Sequence, residues 1–287
     1  TWENYPTIID LETDEWIQLG PYPNSLFNIE LPFAISDEGT IFFLDANTSA
    51  CVGFNLAGDY FLPANAEGHE LLPSVQSISA DGRIVYGTTW DNLDFGMVYW
   101  KRDGGEWKVD YVGQDVHEIK PVKMLDAFGE EMDYNLADGI ICTAEYTKIS
   151  ATGKWIAGSY RIETLADNRM DIVRTQYAAF YNTETETTTV VKDYGGSVGI
   201  HITDDGIAFI GLGTMNLSSG VVYDLNTNTE LGSVEEWVHD TYGIYVPTGY
   251  INSVSPGGRV IFGTMLDMTG TQDLITIGWY VAPPAEA

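Results

Sequence analysis

Positive charge is what this sequence has least of. Lys and Arg number 13 against 42 Asp and Glu, a formal net charge of −29. Phosphate backbones and anionic lipid surfaces are held by clustered cations, so the balance argues against nucleic acid and against adsorption to acidic membranes. It favours solubility, a monomer, and neutral or cationic partners. Cysteine is almost absent. Cys51 and Cys142 both lie in apolar, strand-like runs, where a thiol behaves as a small hydrophobe. They are expected to be free, and two cysteines leave the redox compartment open. No apolar run approaches the roughly 20 residues of a membrane-spanning helix. Also missing are the nucleophile elbow, the His-Glu-x-x-His zinc helix, Cys-x-x-Cys and the phosphate-binding loop. Heptads and long amphipathic helices are absent too.

Strand chemistry is abundant. The chain has 287 residues with 17 Tyr, 11 Phe and 8 Trp, and its apolar runs are rich in Thr, Val, Ile and Tyr. One pattern recurs: a β-branched residue, then Ser or Thr, two variable residues, and Gly. It stands at Ile35–Gly39, Ile78–Gly82, Ile149–Gly153, Ile202–Gly206 and Val254–Gly258. Four copies reach a second glycine five residues on, at Gly87, Gly158, Gly211 and Gly263. The glycine suits a left-handed turn, and the hydroxyl can bond the turn's backbone. The second glycines are expected to mark bulges or close strand approaches.

Each unit divides into four strands. In the second, these are Ser74–Ser79, Arg83–Thr89, Gly96–Lys101 and Glu106–Val112, with a hairpin turn at Asp103-Gly104-Gly105. Third strands are expected at Cys51–Leu56, Tyr177–Asn182, Gly220–Leu225 and Thr276–Val281. Fourth strands are expected at Asp59–Leu62, Thr187–Val191 and Glu230–Val234. The segment Pro6–Leu19 reads as two short strands around an acidic turn and resembles Val221–Leu231, the second half of a unit. An insertion spans about 113–139. Its stretch Val122–Phe128 suits either a helical turn or an extra strand. A second, smaller insertion, Ile162–Thr175, is of mixed charge and reads as an exposed loop.

Repeats of this length and strand count imply radially arranged blades. The Ile-Ser-x-Asp-Gly-x-x-x-x-Gly pattern resembles the blade motif of WD40-like and TolB-like β-propellers, and is closer still to the short repeats of secreted bacterial propellers. The resemblance covers about residues 6–281. It implies an all-β, single-domain β-propeller over residues 1–287 and an exported, extracytoplasmic protein. Strand arithmetic gives five four-stranded blades, closed by the N-terminal strand. Six blades result if that strand and its partner form a blade of their own. The resemblance leaves activity open, because propellers host hydrolases, lyases, sugar binders and scaffolds.

Candidate ligand residues lie where the repeats differ. Trp90, Asp91 and Asp94 fall on a loop between second and third strands. An aromatic beside carboxylates can stack on a sugar ring and bond its hydroxyls, though a solvated acidic loop has the same composition. Tyr160 and Arg161 occupy the equivalent place in the third blade. His239, Asp240 and Tyr242 lie on a connection between blades. His69 and His117 also fall on connections, and His201 on an inner strand. No cofactor is implied. Calcium could use Asp10, Glu12 and Asp14, or Asp204 and Asp205, which also suit plain turns. These residues support a non-catalytic binding or scaffold protein with a carbohydrate or protein partner. The alternative is a carbohydrate-active enzyme, a glycoside hydrolase or lyase with paired carboxylates.

Overall fold

The structure is a computed structural model. It describes residues 7–9, 13, 15–18, 29–36, 41–45, 50–54, 60–61, 74–88, 97–103, 106–141, 149–213, 217–218, 220–246, 250–255, 258, 260–267 and 275–282. Two compact units are formed, one by residues 1–92 and 98–110, the other by 93–97 and 111–287.

In the first unit β1 (Thr7–Ile9) and β2 (Trp16–Gln18) pair with each other, as the acidic-turn reading anticipates. Next come β3 (Ile29–Ile35), β4 (Ile41–Asp45), β5 (Ala50–Phe54) and β6 (Tyr60–Phe61), an antiparallel meander in chain order. A second meander is formed by β7 (Ser74–Ile78), β8 (Ile84–Thr88), β9 (Met97–Asp103) and β10 (Glu106–Tyr111). Its first strand, β7, lies against β3, β4 and β5. Cys51 sits on β5, while Cys142 lies outside the described residues.

The second unit opens with a 3-10 turn, Gln114–Val116, and a five-stranded sheet. That sheet is β11 (Glu118–Leu125), β12 (Glu131–Ile141), β13 (Trp155–Leu165), β14 (Ile172–Asn182) and β15 (Thr187–Val191). The next sheet is β16 (Ser197–Ile202), β17 (Ile207–Leu212), β18 (Val221–Asp224) and β19 (Thr229–Ser233). Helix α1 (Val234–Tyr242) leads to β20 (Tyr250–Val254), β21 (Ile261–Asp267) and β22 (Ile275–Val281). Among the described residues β22 has one hydrogen-bonded neighbour, β21. No helix among them is long and apolar enough to cross a membrane.

The repeated motif folds the same way wherever it is described. Ser79, Ser150, Thr203 and Ser255 each take a backbone bond from the motif glycine, as in Gly153 N–H to the Ser150 carbonyl at 3.0 Å. Each hydroxyl also accepts the amide that opens the following strand: Ile84 at 2.9 Å, Trp155 at 3.0 Å, Ile207 at 3.1 Å and Val260 at 3.0 Å. Gly82, Gly153, Gly206 and Gly258 have φ of 68°, 78°, 89° and 73°, the left-handed region that a Cβ disfavours.

Consecutive inner turns also touch. Asp204 accepts from the Thr152 hydroxyl at 2.8 Å and its amide at 3.1 Å. A Cβ on Gly258 would meet Thr203 Cγ2 at 2.6 Å.

Sheets within the second unit pack face to face in chain order. Strand β16 lies on β13 and β14, and β20 lies on β16. A Cβ on Gly199 would stand 2.7 Å from the Gly158 carbonyl and 2.9 Å from that of Ala179, so two glycines permit the close approach. Between the sheets lie Ala157, Ala178 and Phe180 with Ile202, Ala208 and Ile210. Val198, Ile200 and Phe209 pack with Ile251, Val254 and Ile261, and α1 adds Val234 and Val238. Full burial of such side chains contributes about 1.5–3 kcal/mol each. Two bulges sit in first strands beside second glycines: Val75 pairs with Gly87 and Ile251 with Gly263, each immediately before a register shift.

One expectation is corrected and two are sharpened. Residues 162–175 are not a loop throughout: 162–165 and 172–175 extend β13 and β14 into a long hairpin, paired from Ile162 with Thr175 to Leu165 with Ile172, and only the residues between them turn. In the 113–139 insertion the extra-strand alternative holds: the stretch at 122–128 is strand to Leu125, paired with β12, followed by a turn. The connection holding His239, Asp240 and Tyr242 is helical. Ser233 and Glu236 form a reciprocal capping box, and Gly243 closes the helix at φ 69°.

Candidate functional site

The two insertions form one feature. Strand β12 pairs with β13 only through Gly139–Ile141 and Ser159–Arg161. Beyond that point the sheet forks into two hairpins. One is β11–β12, paired from Glu118 with Asp138 out to Leu125 with Glu131. The other continues β13–β14 to Leu165 with Ile172.

Two carboxylates stand at the fork. Asp138 is 3% exposed and Glu163 4%. Each takes over a strand hydrogen bond lost where the sheet parts. The Glu163 amide donates to Asp138 Oδ1 at 3.0 Å, and the Ala137 amide donates to Glu163 Oε2 at 3.2 Å. Cations close the group. Lys120 Nζ binds Asp138, with Glu118 at 3.6 Å on its other side. Arg174 Nε donates to Glu163 Oε1 at 2.9 Å, and Arg161 Nε stands 3.6 Å from the same oxygen. Three cations thus face three carboxylates in a chain that is otherwise strongly acidic.

Burial pushes the Glu163 carboxyl up. The Arg174 bond, the Ala137 amide and the two guanidinium charges outweigh it and leave it below the ordinary range. Its bond to Asp138 raises Lys120 above the usual ammonium value. Burial, then the Asp138 charge, raises the Tyr160 phenol. A carboxylate held ionised and occupied by two guanidiniums and an amide makes a poor general acid, whose pKa must be brought near the working pH. What the cluster can do is fix the angle at which the hairpins leave the sheet.

The tips are joined and ordered. Asp126 Oδ1 accepts the amides of Phe128 at 2.8 Å and Glu130 at 2.9 Å. In the second tip Asn168 Oδ1 accepts the amides of Met170 at 2.9 Å and Asp171 at 3.2 Å. Arg169 reaches across. Its carbonyl accepts the Leu125 amide at 2.8 Å, and Nη2 donates to the Lys123 carbonyl and Glu131 Oε1, both at 3.0 Å. Arg169 holds φ 58°, uncommon for a side-chain-bearing residue and retained where surroundings enforce it. Ten large apolar side chains are exposed among the described residues. Five of them, Ile119, Phe128, Met132, Met170 and Val173, stand on these hairpins. Phe128 is 91% exposed.

No family model matches the sequence and no curated protein does. Among solved structures, a protein from Lactobacillus plantarum is similar over 98% of this chain and 92% of its own, with a TM-score of 0.37 and 11% identity. TolB from Acinetobacter baumannii is similar over 78% of this chain, with a TM-score of 0.27 and 13% identity, and the chain spans 58% of it. The tricorn protease is similar over 96% of this chain, with a TM-score of 0.28 and 10% identity, and the chain spans 26% of it.

The sequence candidates are dispersed. Trp90, Asp91 and Asp94 lie outside the described residues, as do His69 and the Asp10, Glu12 and Asp14 set. Tyr160 and Arg161 belong to the fork, where Arg161 turns to Glu163. His239, Asp240 and Tyr242 are on α1. Tyr242 meets Trp237 edge-on at 5.6 Å and packs onto the core. His239 lies 4.6 Å from the exposed Tyr245 ring, with Nδ1 3.2 Å from Asp240 Oδ1. His117 is exposed after the 3-10 turn, and His201 is buried against Phe209 with ring centres 5.7 Å apart. Asp204 and Asp205 bond the inner turns, Asp205 through the Thr203 hydroxyl.

Sequence reasoning missed Asp138, Glu163, Lys120 and Arg174 at the fork, and the apolar tips. A signal existed. The chain has 13 Lys and Arg, and Lys120, Lys123, Arg169 and Arg174 fall in the two insertions, with Arg161 immediately before the second.

Proposed function

We propose that the chain is a non-catalytic binding protein of the β-propeller type, acting outside the cytoplasm as a monomer. Five blades fit the five motif copies. The recognition element is the joined hairpin pair, and the partner is a protein. The observation that carries this reading is the concentration of exposed apolar side chains on hairpins whose root and tips are both pinned. Scattered surface hydrophobes are ordinary, but a cluster of them on a rigid projection marks an interaction site. A pinned scaffold also lowers the ordering cost of binding.

A second reading rests on α1, where the exposed Tyr245 stands beside His239 and Asp240. An open ring flanked by groups that bond hydroxyls suits a sugar.

Labelled protein, screened in parallel on a glycan array and a protein array, separates the two. Replacing residues 123–133 with Asn-Gly shortens the first hairpin, since Val122 pairs with Tyr134 and a two-residue turn can close there. Protein ligands lost by the shortened variant are expected. Glycan ligands lost on Tyr245→Ala and kept by the shortened variant would overturn the protein reading.

A further inference from the structure

We propose that Phe128 is the anchor of this recognition element and that it docks into an apolar pocket rimmed by Lys and Arg on the partner protein. The inference rests on the hairpin reading above and specifies its chemistry.

The anchor is preorganised. Asp126 and Gly129 hold the turn, with the Gly129 amide donating to the Asp126 carbonyl at 3.0 Å, so the aromatic ring is offered on a fixed backbone. An aromatic buried at the centre of an interface contributes most of the energy when little has to be ordered on binding. Met132 and Met170, also exposed on the two hairpins, are unbranched, polarizable side chains that can adapt to a pocket wall.

Charge selects the partner. Asp126, Glu130, Glu131, Asp133, Asp167 and Asp171 surround the tips, against only Lys123 and Arg169. Both cations are already engaged, Lys123 with Asp133 at 2.6 Å and Arg169 with Glu131 at 3.0 Å. The rim left over is negative. A second copy of this chain would bring its own net charge of −29 against it, so self-association is opposed. A basic rim on the partner is complementary and would steer encounter.

Strand addition along β11 is a poorer route. Pro121 on that strand has no amide to give, and Lys120 and Lys123 stand along it, devices that blunt a sheet edge.

The test pans a phage-displayed random peptide library against the immobilised full chain. Enriched peptides are expected to combine aromatic or aliphatic residues with Lys and Arg. Their binding is expected to weaken at least tenfold on Phe128→Asp and on Phe128→Ala, and severalfold between 50 and 300 mM salt. Leu231→Asp, a change at an exposed residue on β19, is the control and is expected to leave binding unchanged. Thermal melts of the Phe128 variants should match the parent, since the ring is in solvent.

Peptides that lack basic residues, or an empty selection, would overturn the proposal. Binding lost in the variant shortened at 123–133 but untouched by both Phe128 substitutions would overturn the anchor and leave the hairpin reading standing. Peptides held equally by the shortened variant would remove both.

Discussion

Removing the Glu163 carboxylate should loosen the fork. In Glu163→Ala the Ala137 amide is left buried without its acceptor, a loss of about 1–3 kcal/mol. Arg161 and Arg174 lose their anion as well. The Arg174 head group is half in water, so its share is discounted to about 1 kcal/mol or less. The expected total is about 1–4 kcal/mol. Local opening of the hairpins reports it directly, as amide hydrogen exchange at 131–141 and 155–165 accelerated by roughly 5- to 700-fold at a factor of ten per 1.4 kcal/mol. Glu163→Gln supplies a pH signature. The carboxyl is below its ordinary value in the folded chain, so its stabilisation is complete above the unfolded value of about 4.3 and is lost as the pH falls through the folded value. Urea titrations should therefore show a gap between parent and Glu163→Gln at pH 7 that narrows by pH 3. A gap equal at both pH values, or a loss below about 1 kcal/mol in Glu163→Ala, would refute the view that this carboxylate holds the fork.

Other consequences are smaller and local. Ser150→Ala removes the acceptor of the Trp155 amide, and urea titration should show a loss of about 1–3 kcal/mol. Gly206→Ala sets a Cβ at φ 89° and 2.9 Å from Asn226 Nδ2, so a loss of about 1–2 kcal/mol is expected by the same method. Ser233→Ala deletes the α1 cap, and about 1 kcal/mol with faster exchange across Val234–Tyr242 should follow.

Much of the strand plan was legible because its causes are local. Ser79 and Gly82 make the same turn in any surroundings that place two strands after each other, and period-two alternation marks the strands either side. Helix α1 left a readable trace as well. Ser233 to Glu236 is a capping-box spacing, and Val234, Trp237 and Val238 recur at helical intervals. The forked hairpins were not legible. Glu163 and Arg174 look like loop charges until Ala137 and Asp138, 25 to 26 positions away, are set beside them. The burial of a charge depends on partners that local pattern does not reveal. The tips were hidden as well, since a local pattern does not tell that Phe128 is the most exposed large apolar residue described.

The central claim is that the joined hairpins, and not the repeated turns, meet the partner. Hydrogen exchange of the full chain, free and saturated with a protein ligand from the array, tests it most directly. Slowed exchange is expected at 118–138 and 160–176, with the turns at 79–84, 150–155 and 203–207 unchanged. Protection at those turns with the hairpins unaffected would contradict the account.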